Sequence, residues 1–161
     1  MAISINRSKS IIMALNFNKY AQEGNAFLKE YTQQLNLGND TDTGARVLSS
    51  ILHALRDVIS VEESLQLIAQ FPMFLKAVYV NGWSPKLRKE KIKTRVDFID
   101  LARKYNGVTS VHDFGSDEQS NRYIDTTFIV LRKYVSLGEL EDIRTELPKD
   151  LKDMIYHNFM F

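Results

Sequence analysis

The chain has 161 residues, enough for one domain or two very small ones, and its 44% hydrophobic content is sufficient for a core. With 21 basic and 20 acidic residues, its net charge favours neither nucleic acid nor a membrane surface as a partner. Cysteine is absent, which excludes disulfides, thiolate catalysis and cysteine-based metal sites and makes the cytoplasm the expected location.

Residues 1–16 are predicted to form an N-terminal extension. Their longest apolar run, residues 11–15 (IIMAL), is closed by Asn16. This run is too short for a membrane-spanning helix or for the core of a signal peptide. We therefore expect no targeting segment and no membrane contact.

Residues 17–84 are predicted to form four helices, at 18–36, 42–59, 61–70 and 72–81, because apolar residues recur with a period near 3.6. Ser60 and Glu63 match a capping box at the start of the third helix. Pro72 suits the first turn of the fourth helix, since proline has no N–H to donate to a preceding turn. Gly82 is expected to end that helix in a left-handed conformation, with Trp83 packed back on the last turn.

Residues 85–93 are predicted to be a basic linker. Residues 86–95 contain six positively charged side chains and one negatively charged side chain, Glu90. The positive residues are Lys86, Arg88, Lys89, Lys91, Lys93 and Arg95. Like charges keep such a segment extended and solvated. Anion binding by these six residues is the weaker interpretation, and nucleic acid is not the expected partner, because the stretch has no aromatic residues to stack on bases.

Residues 94–161 are predicted to repeat the first half, with helices at 94–105, 117–135, 137–146 and 148–157. The same signals recur 76 residues later. Ser136 and Glu139 correspond to Ser60 and Glu63, Pro148 corresponds to Pro72, and Asn158-Phe159 corresponds to Gly82-Trp83. These matches predict an all-α fold, a tandem duplication of a four-helix unit packed as one pseudo-symmetric bundle.

The segment ARVLSSILHALRDVISVEESLQLIAQFPMFLKAVYVNGWSP resembles the bacterial family described as domain of unknown function 2267. FNKYAQEGNAFLKEY before it and ELEDIRTELPKDLKDMI after it carry the same resemblance, which covers about residues 17–157. It implies a small, all-helical protein built from a tandem repeat. The family has no established activity, so the resemblance implies no catalytic or binding residues.

The three histidines do not predict a catalytic or metal site. His53 lies beside Arg56 and Asp57, away from the apolar stripe, and is expected to be solvated or salt-linked. His112 lies with Asp113 in a predicted loop without a third ligand at metal-binding spacing. His157 falls at the end of the last predicted helix, where a cation suits the helix dipole. We therefore predict no catalytic residue, no cofactor and no metal.

Residues 39–44 (NDTDTG) resemble the start of a calcium-binding loop. Such a loop needs glycine at its sixth position and glutamate at its twelfth, and counting from Asp40 these positions hold Ala45 and Ile51. We interpret the stretch as the cap of the following helix.

Residues 71–83 (FPMFLKAVYVNGW) predict a short helix with two apolar faces. One face matches the core positions of the second copy, whereas the other consists of Met73, Phe74, Ala77 and Val80 and is a candidate interface. We expect the second repeat to cover this face. A homodimer and a groove for a protein partner are the alternatives.

Three functions remain open at this point. A non-enzymatic interaction or scaffold module is favoured, because the chain shows a helical repeat and no enzyme motif. A small-ligand binder or an enzyme with a site between the repeats is the alternative, which a deep polar pocket with strongly perturbed carboxylates or histidines would favour. Polyanion binding through the basic linker is the weaker alternative.

Overall fold

Helices provide the regular structure of this chain. A computed structural model describes residues 15–84 and 91–156, which contain α-helices and 3-10 segments and no β-strand, so the predicted all-α class is confirmed. The α-helices are α1 (Phe17–Gln34), α2 (Thr41–Val58), α3 (Val61–Gln70), α4 (Met73–Val80), α5 (Arg95–Asn106), α6 (Ser110–Phe114), α7 (Asp117–Leu131), α8 (Leu137–Glu146) and α9 (Asp153–Tyr156). Among these described helices, none has both the length and the apolar character needed to span a membrane.

Side-chain caps determine where most of these helices begin. An oxygen of Asn16, Asp40, Ser60, Ser116 or Ser136 accepts a hydrogen bond from the backbone N–H three residues later. Each such bond satisfies one of the amides that a helix leaves unpaired at its N-terminus. The cap predicted at residues 39–44 is confirmed, since Asp40 accepts from the Thr43 N–H at 3.2 Å and from its hydroxyl at 2.7 Å.

The ends of α3 and α4 follow the sequence signals. Pro72 separates the two helices, as predicted. Gly82 follows α4 with a φ of 68°, a conformation that glycine adopts without strain. Trp83 packs edge-on against Tyr79 with 5.8 Å between ring centroids, which confirms the predicted apolar contact behind the cap. The corresponding Asn158 and Phe159 lie outside the described residues.

The second half departs from the predicted boundaries. The predicted loop at 106–116 contains a 3-10 segment and α6, because buried Asp113 and Phe114 attach this stretch to the core. α7 ends at Leu131 rather than at 135, since the next three residues form i to i−3 hydrogen bonds. The helix predicted at 148–157 is a 3-10 segment, Lys149–Leu151, followed by α9.

The core is centred on α2. Residues 50–56 are buried without interruption, so this helix has no solvated face over two turns. It packs against α1 and α4 from the first half and against α5, α6 and α7 from the second half, most extensively against α5. Both halves therefore contribute to one hydrophobic core.

His53 is buried, and the prediction that it is solvated was wrong. It is 9% exposed, and its Nε2 lies 2.7 Å from the carbonyl oxygen of Val78. Burial lowers the pKa of His53, which favours a neutral ring that donates to this carbonyl. The sequence pattern identified only one apolar face of α2, whereas α4 and α5 cover the side that carries His53.

Several residues 76 positions apart have similar environments. Leu55 and Leu131 are both buried, as are Leu75 and Leu151. The first helices of the two halves differ, since α1 packs on α2 and α4 of its own half whereas α5 packs mainly on α2 of the other half. The duplication and its boundaries (1–16, 17–84, 85–93 and 94–161) stay predictions, which these matched positions support.

Removing the cap hydroxyls should destabilise the fold. Ser60 Oγ accepts from the Glu63 N–H at 3.1 Å and Ser136 Oγ accepts from the Glu139 N–H at 3.2 Å. We expect Ser60→Ala and Ser136→Ala each to lower the free energy of unfolding by about 0.5–2 kcal/mol, because one helix amide loses its partner. Urea denaturation measures the change. Wild-type stability in both variants would contradict this role of the caps.

Candidate functional site

An apolar groove of about 540 Å³ lies between α1, α2 and α4. Its walls include Phe27, Leu28, Leu48 and Val78, and its polar lining residues are Ser49 and Asn81. None of the described residues that line the groove is titratable, so the groove is suited to binding apolar groups.

Gly24 and Ala77 explain why α1 and α4 approach closely beside the groove. A Cβ added at Gly24 would lie 3.1 Å from the Cβ of Phe74, which is closer than side chains normally pack. Ala77 lines the groove with a single methyl group. Small residues at these two positions therefore leave an open space next to the contact between the helices.

The apolar face predicted on α4 is only partly covered. The ring of Phe74 lies 5.1 Å from that of Phe27 and 6.1 Å from that of Tyr134, a residue of the second half. Met73 and Val80 are 47% and 44% exposed, and Ala77 is exposed too. The expectation that the second half covers the face was therefore wrong for these three residues, because α4 packs on α1, α2 and α3 of its own half.

The basic stretch offers few free charges in the part of the chain that the structure describes. Lys86, Arg88 and Lys89 lie outside that part, and Lys91 and Lys93 are exposed. Arg95 begins α5, and its guanidinium lies 3.0 Å from a carboxylate oxygen of Asp125 and 3.4 Å from one of Asp153. The positive charge of Arg95 is thus balanced by acidic side chains of its own chain.

Asp113 connects the two halves from a buried position. Its carboxylate accepts from Arg46 at 2.7 and 3.0 Å, from Asn106 at 2.9 Å and lies 3.0 Å from His112 Nδ1. Burial alone would raise the pKa of Asp113, but hydrogen bonds from Arg46, His112, Asn106 and Thr109 outweigh it and hold the pKa well below its usual range. The His112-Asp113 pair therefore has a structural partner in Arg46.

Three carboxylates converge where α3 meets α8. Glu63 belongs to α3 and Glu139 and Asp142 belong to α8, and one oxygen of each lies within 4.8 Å of the others. Glu139 is 5% exposed, whereas Asp142 is exposed to solvent. The Oε1 atoms of Glu63 and Glu139 are buried, and among the described residues no donor group binds either of them.

An exchange of hydrogen bonds between α3 and α8 explains this convergence. The Ser60 N–H donates to Glu146 Oε1 at 3.2 Å, and the Ser136 N–H donates to Gln70 Oε1 at 2.7 Å. In a capping box these amides would bind the glutamate three residues later. The hydroxyl half of each predicted box is confirmed and the carboxylate half was wrong, which leaves Glu63 and Glu139 available for other contacts.

The buried contact between these acids perturbs the protonation of Glu139. Burial, with hydrogen bonding to Glu63 and repulsion by its charge, raises the pKa of Glu139 to about 8, and Asp142 and Glu146 add further repulsion. Because the two glutamates are close, the proton belongs to the pair. The sequence did not reveal this cluster, since each glutamate alone matched a helix cap; its only signal was the recurrence of Glu63 at Glu139.

The fold and these features define an all-helical protein with an open apolar groove and a buried acidic cluster. The family described as "Uncharacterized conserved protein (DUF2267)" matches residues 24–154, most of the chain, and the chain belongs to this family. The resemblance noted from the sequence is thereby confirmed. A search of curated proteins gives no match.

Neutralising Glu139 should stabilise the fold at high pH. The folded-state pKa of Glu139 is raised above its ordinary value of 4.5 to about 8, so the stability it contributes is present at low pH and is lost as the pH rises through about 8. We expect Glu139→Gln in EDTA to gain on the order of 1–2 kcal/mol at pH 9 relative to wild type and little at pH 4. Urea unfolding at both pH values measures the gain. A loss of stability at pH 9 would contradict the expected repulsion.

Proposed function

We propose that this protein is a non-enzymatic binding module that holds an amphipathic helix of a protein partner against α4. The observation that supports the proposal is the exposed apolar stripe of Met73, Ala77 and Val80 beside the apolar groove. Apolar surface left in water forgoes about 25 cal/mol per Å² of burial, and a contiguous patch of it typically marks a binding site.

The spacing of the stripe suits a helical partner. Met73, Ala77 and Val80 stand at positions i, i+4 and i+7, so they lie along one side of α4 over ~10 Å. Helix-in-groove complexes use this spacing on both partners. The adjacent groove of about 540 Å³ has room for large apolar side chains from the partner while its helix packs along the stripe.

A partner helix fits the stripe better than a second copy of the chain does. α4 has 8 residues and is therefore ~12 Å long. A stable homodimer usually buries roughly 800 Å² on each protomer, more than a contact centred on so short a helix provides. A narrow partner instead inserts its side chains between three helices and buries them on several sides.

The alternative functions have less support. A catalytic site between the halves would use the perturbed Glu139, but at 5% exposure this side chain is too buried to contact an organic substrate. Polyanion binding through residues 86–95 loses one of its six candidate residues, because Arg95 is paired with Asp125 and Asp153.

Selection of helical peptides on the full-length protein tests the proposal. We expect peptides from a displayed library to share apolar residues at i, i+3 or i+4, and i+7, because these match the stripe on α4. Their affinity, measured by fluorescence anisotropy, should fall about tenfold or more in Ala77→Asp, since a charge would be buried in an apolar contact. Val96→Asp is the matched control: Val96 is 50% exposed on α5, and its replacement should leave binding unchanged.

Two outcomes would contradict the proposed function. Selected peptides without that spacing, or with equal affinity for wild type and Ala77→Asp, would remove the stripe as the binding site. A wild-type dimer on sizing that Ala77→Asp converts to a monomer would instead assign the stripe to a second copy of the chain. Phe74→Asp is unsuitable as the test variant, because Phe74 contacts Phe27 and Tyr134 and its loss should lower the melting temperature.

A further inference from the structure

The acidic cluster between α3 and α8 contains oxygen ligands for a cation. We propose that Glu63, Glu139 and Asp142 bind a single hard divalent cation, best matched by Ca²⁺, at the contact between these helices. The site is separate from the apolar groove and does not depend on the function proposed for it.

The three carboxylates are close enough to share one cation. Their candidate ligand atoms lie within 4.8 Å of one another. Two oxygens bound to one Ca²⁺ can be up to roughly 5 Å apart and two bound to one Mg²⁺ up to roughly 4.2 Å, so these separations allow one shared ion. Ca²⁺ is the better match because it accepts irregular oxygen geometry, whereas Mg²⁺ requires a near-ideal octahedron. An all-oxygen ligand set also favours hard cations over Zn²⁺ or copper.

Two buried oxygens of the cluster have no donor in the part of the chain that the structure describes. Glu139 is only 5% exposed, and its Oε1 and that of Glu63 are the two atoms concerned. Buried acceptors are normally satisfied, and an ion is one of the groups that can satisfy two unpaired carboxylate oxygens. α3 contains no basic residue, and the single basic residue of α8, Arg144, pairs with Glu141 at 2.6 Å.

A cation would balance the charge of the three carboxylates. Glu63 and Glu139 bring two carboxyl groups together at a buried contact, and an ion between them offsets the cost of burying negative charge. A divalent ion balances both glutamates and also connects α3 with α8. Such an ion binds the folded chain only, so it stabilises the fold by mass action.

Asp142 provides the open side of the site. It is exposed, so an ion can enter beside it and complete its coordination shell with water. Three carboxylates form a small ligand set for Ca²⁺, and we expect a dissociation constant in the range of about 10⁻⁵–10⁻³ M.

Calorimetric titration of the full-length protein with CaCl₂ tests the site. The protein is first treated with EDTA and dialysed, and KCl of equal ionic strength serves as the salt control. At pH 8 we expect saturable binding with one ion per chain and a rise in melting temperature that KCl does not produce. Asp142→Asn should weaken binding by about tenfold or more and abolish the rise, while circular dichroism shows the wild-type helix content.

Glu62→Gln is the matched control for surface charge. Glu62 is an exposed acid on α3, next to Glu63 but outside the cluster, so its replacement should leave Ca²⁺ binding unchanged. Glu63→Gln is a second ligand variant and should weaken binding as Asp142→Asn does.

Three results would overturn the proposal. The first is the absence of saturable Ca²⁺ binding to wild type at millimolar concentration. The second is equal binding by wild type, Asp142→Asn and Glu63→Gln, or an equal loss in Glu62→Gln, which would indicate diffuse attraction to acidic surface. The third is tighter binding of Mg²⁺ than of Ca²⁺, which would contradict the assignment of an ion that accepts irregular oxygen geometry.

Discussion

The burial of α2 is the constraint on which the rest of this structure depends. Seven consecutive residues, 50–56, are buried, so the helix must be surrounded and its polar side chains must find partners inside. Arg56 donates to the carbonyl oxygens of Tyr79 and Asn81 at 2.8 Å, and His53 lies 2.7 Å from that of Val78. These bonds hold the end of α4 against α2, and the helices of the second half close the remaining sides.

Local signals predicted where the helices begin, because caps depend on a few adjacent residues. Asp40, Ser60 and Ser136 cap the helices at the expected positions, and Pro72 and Gly82 bound α4 as expected. The signals were weaker where tertiary contacts decide the structure. Residues 106–116 lack a long apolar period, and α6 forms there around two buried residues that long-range contacts hold in place.

The candidate sites were predictable to different degrees. The exposed stripe on α4 could be identified in the sequence, since α4 has more apolar residues than the matching segment 76 residues later. The groove could not, because it depends on the distance between α1 and α4 at Gly24. The acidic cluster could not be predicted either, because the sequence assigns Glu63 and Glu139 to separate helix caps. In the folded chain, Glu146 and Gln70 accept from the cap amides in place of these two glutamates, and this follows only from the packing of α3 on α8.

The exchange between α3 and α8 gives the acidic cluster its physical significance. Each helix completes the N-terminal hydrogen bonds of the other, so neither cap is complete unless the halves are docked. Packing of α3 on α8 also brings Glu63 and Glu139 together. The repulsion between these two glutamates opposes the contact, whereas the hydrogen bonds between the two helices favour it. We therefore expect the charge state of this cluster to affect the strength of the α3–α8 contact. A proton or a cation bound there strengthens the contact between the halves, and a fully ionised, empty cluster weakens it.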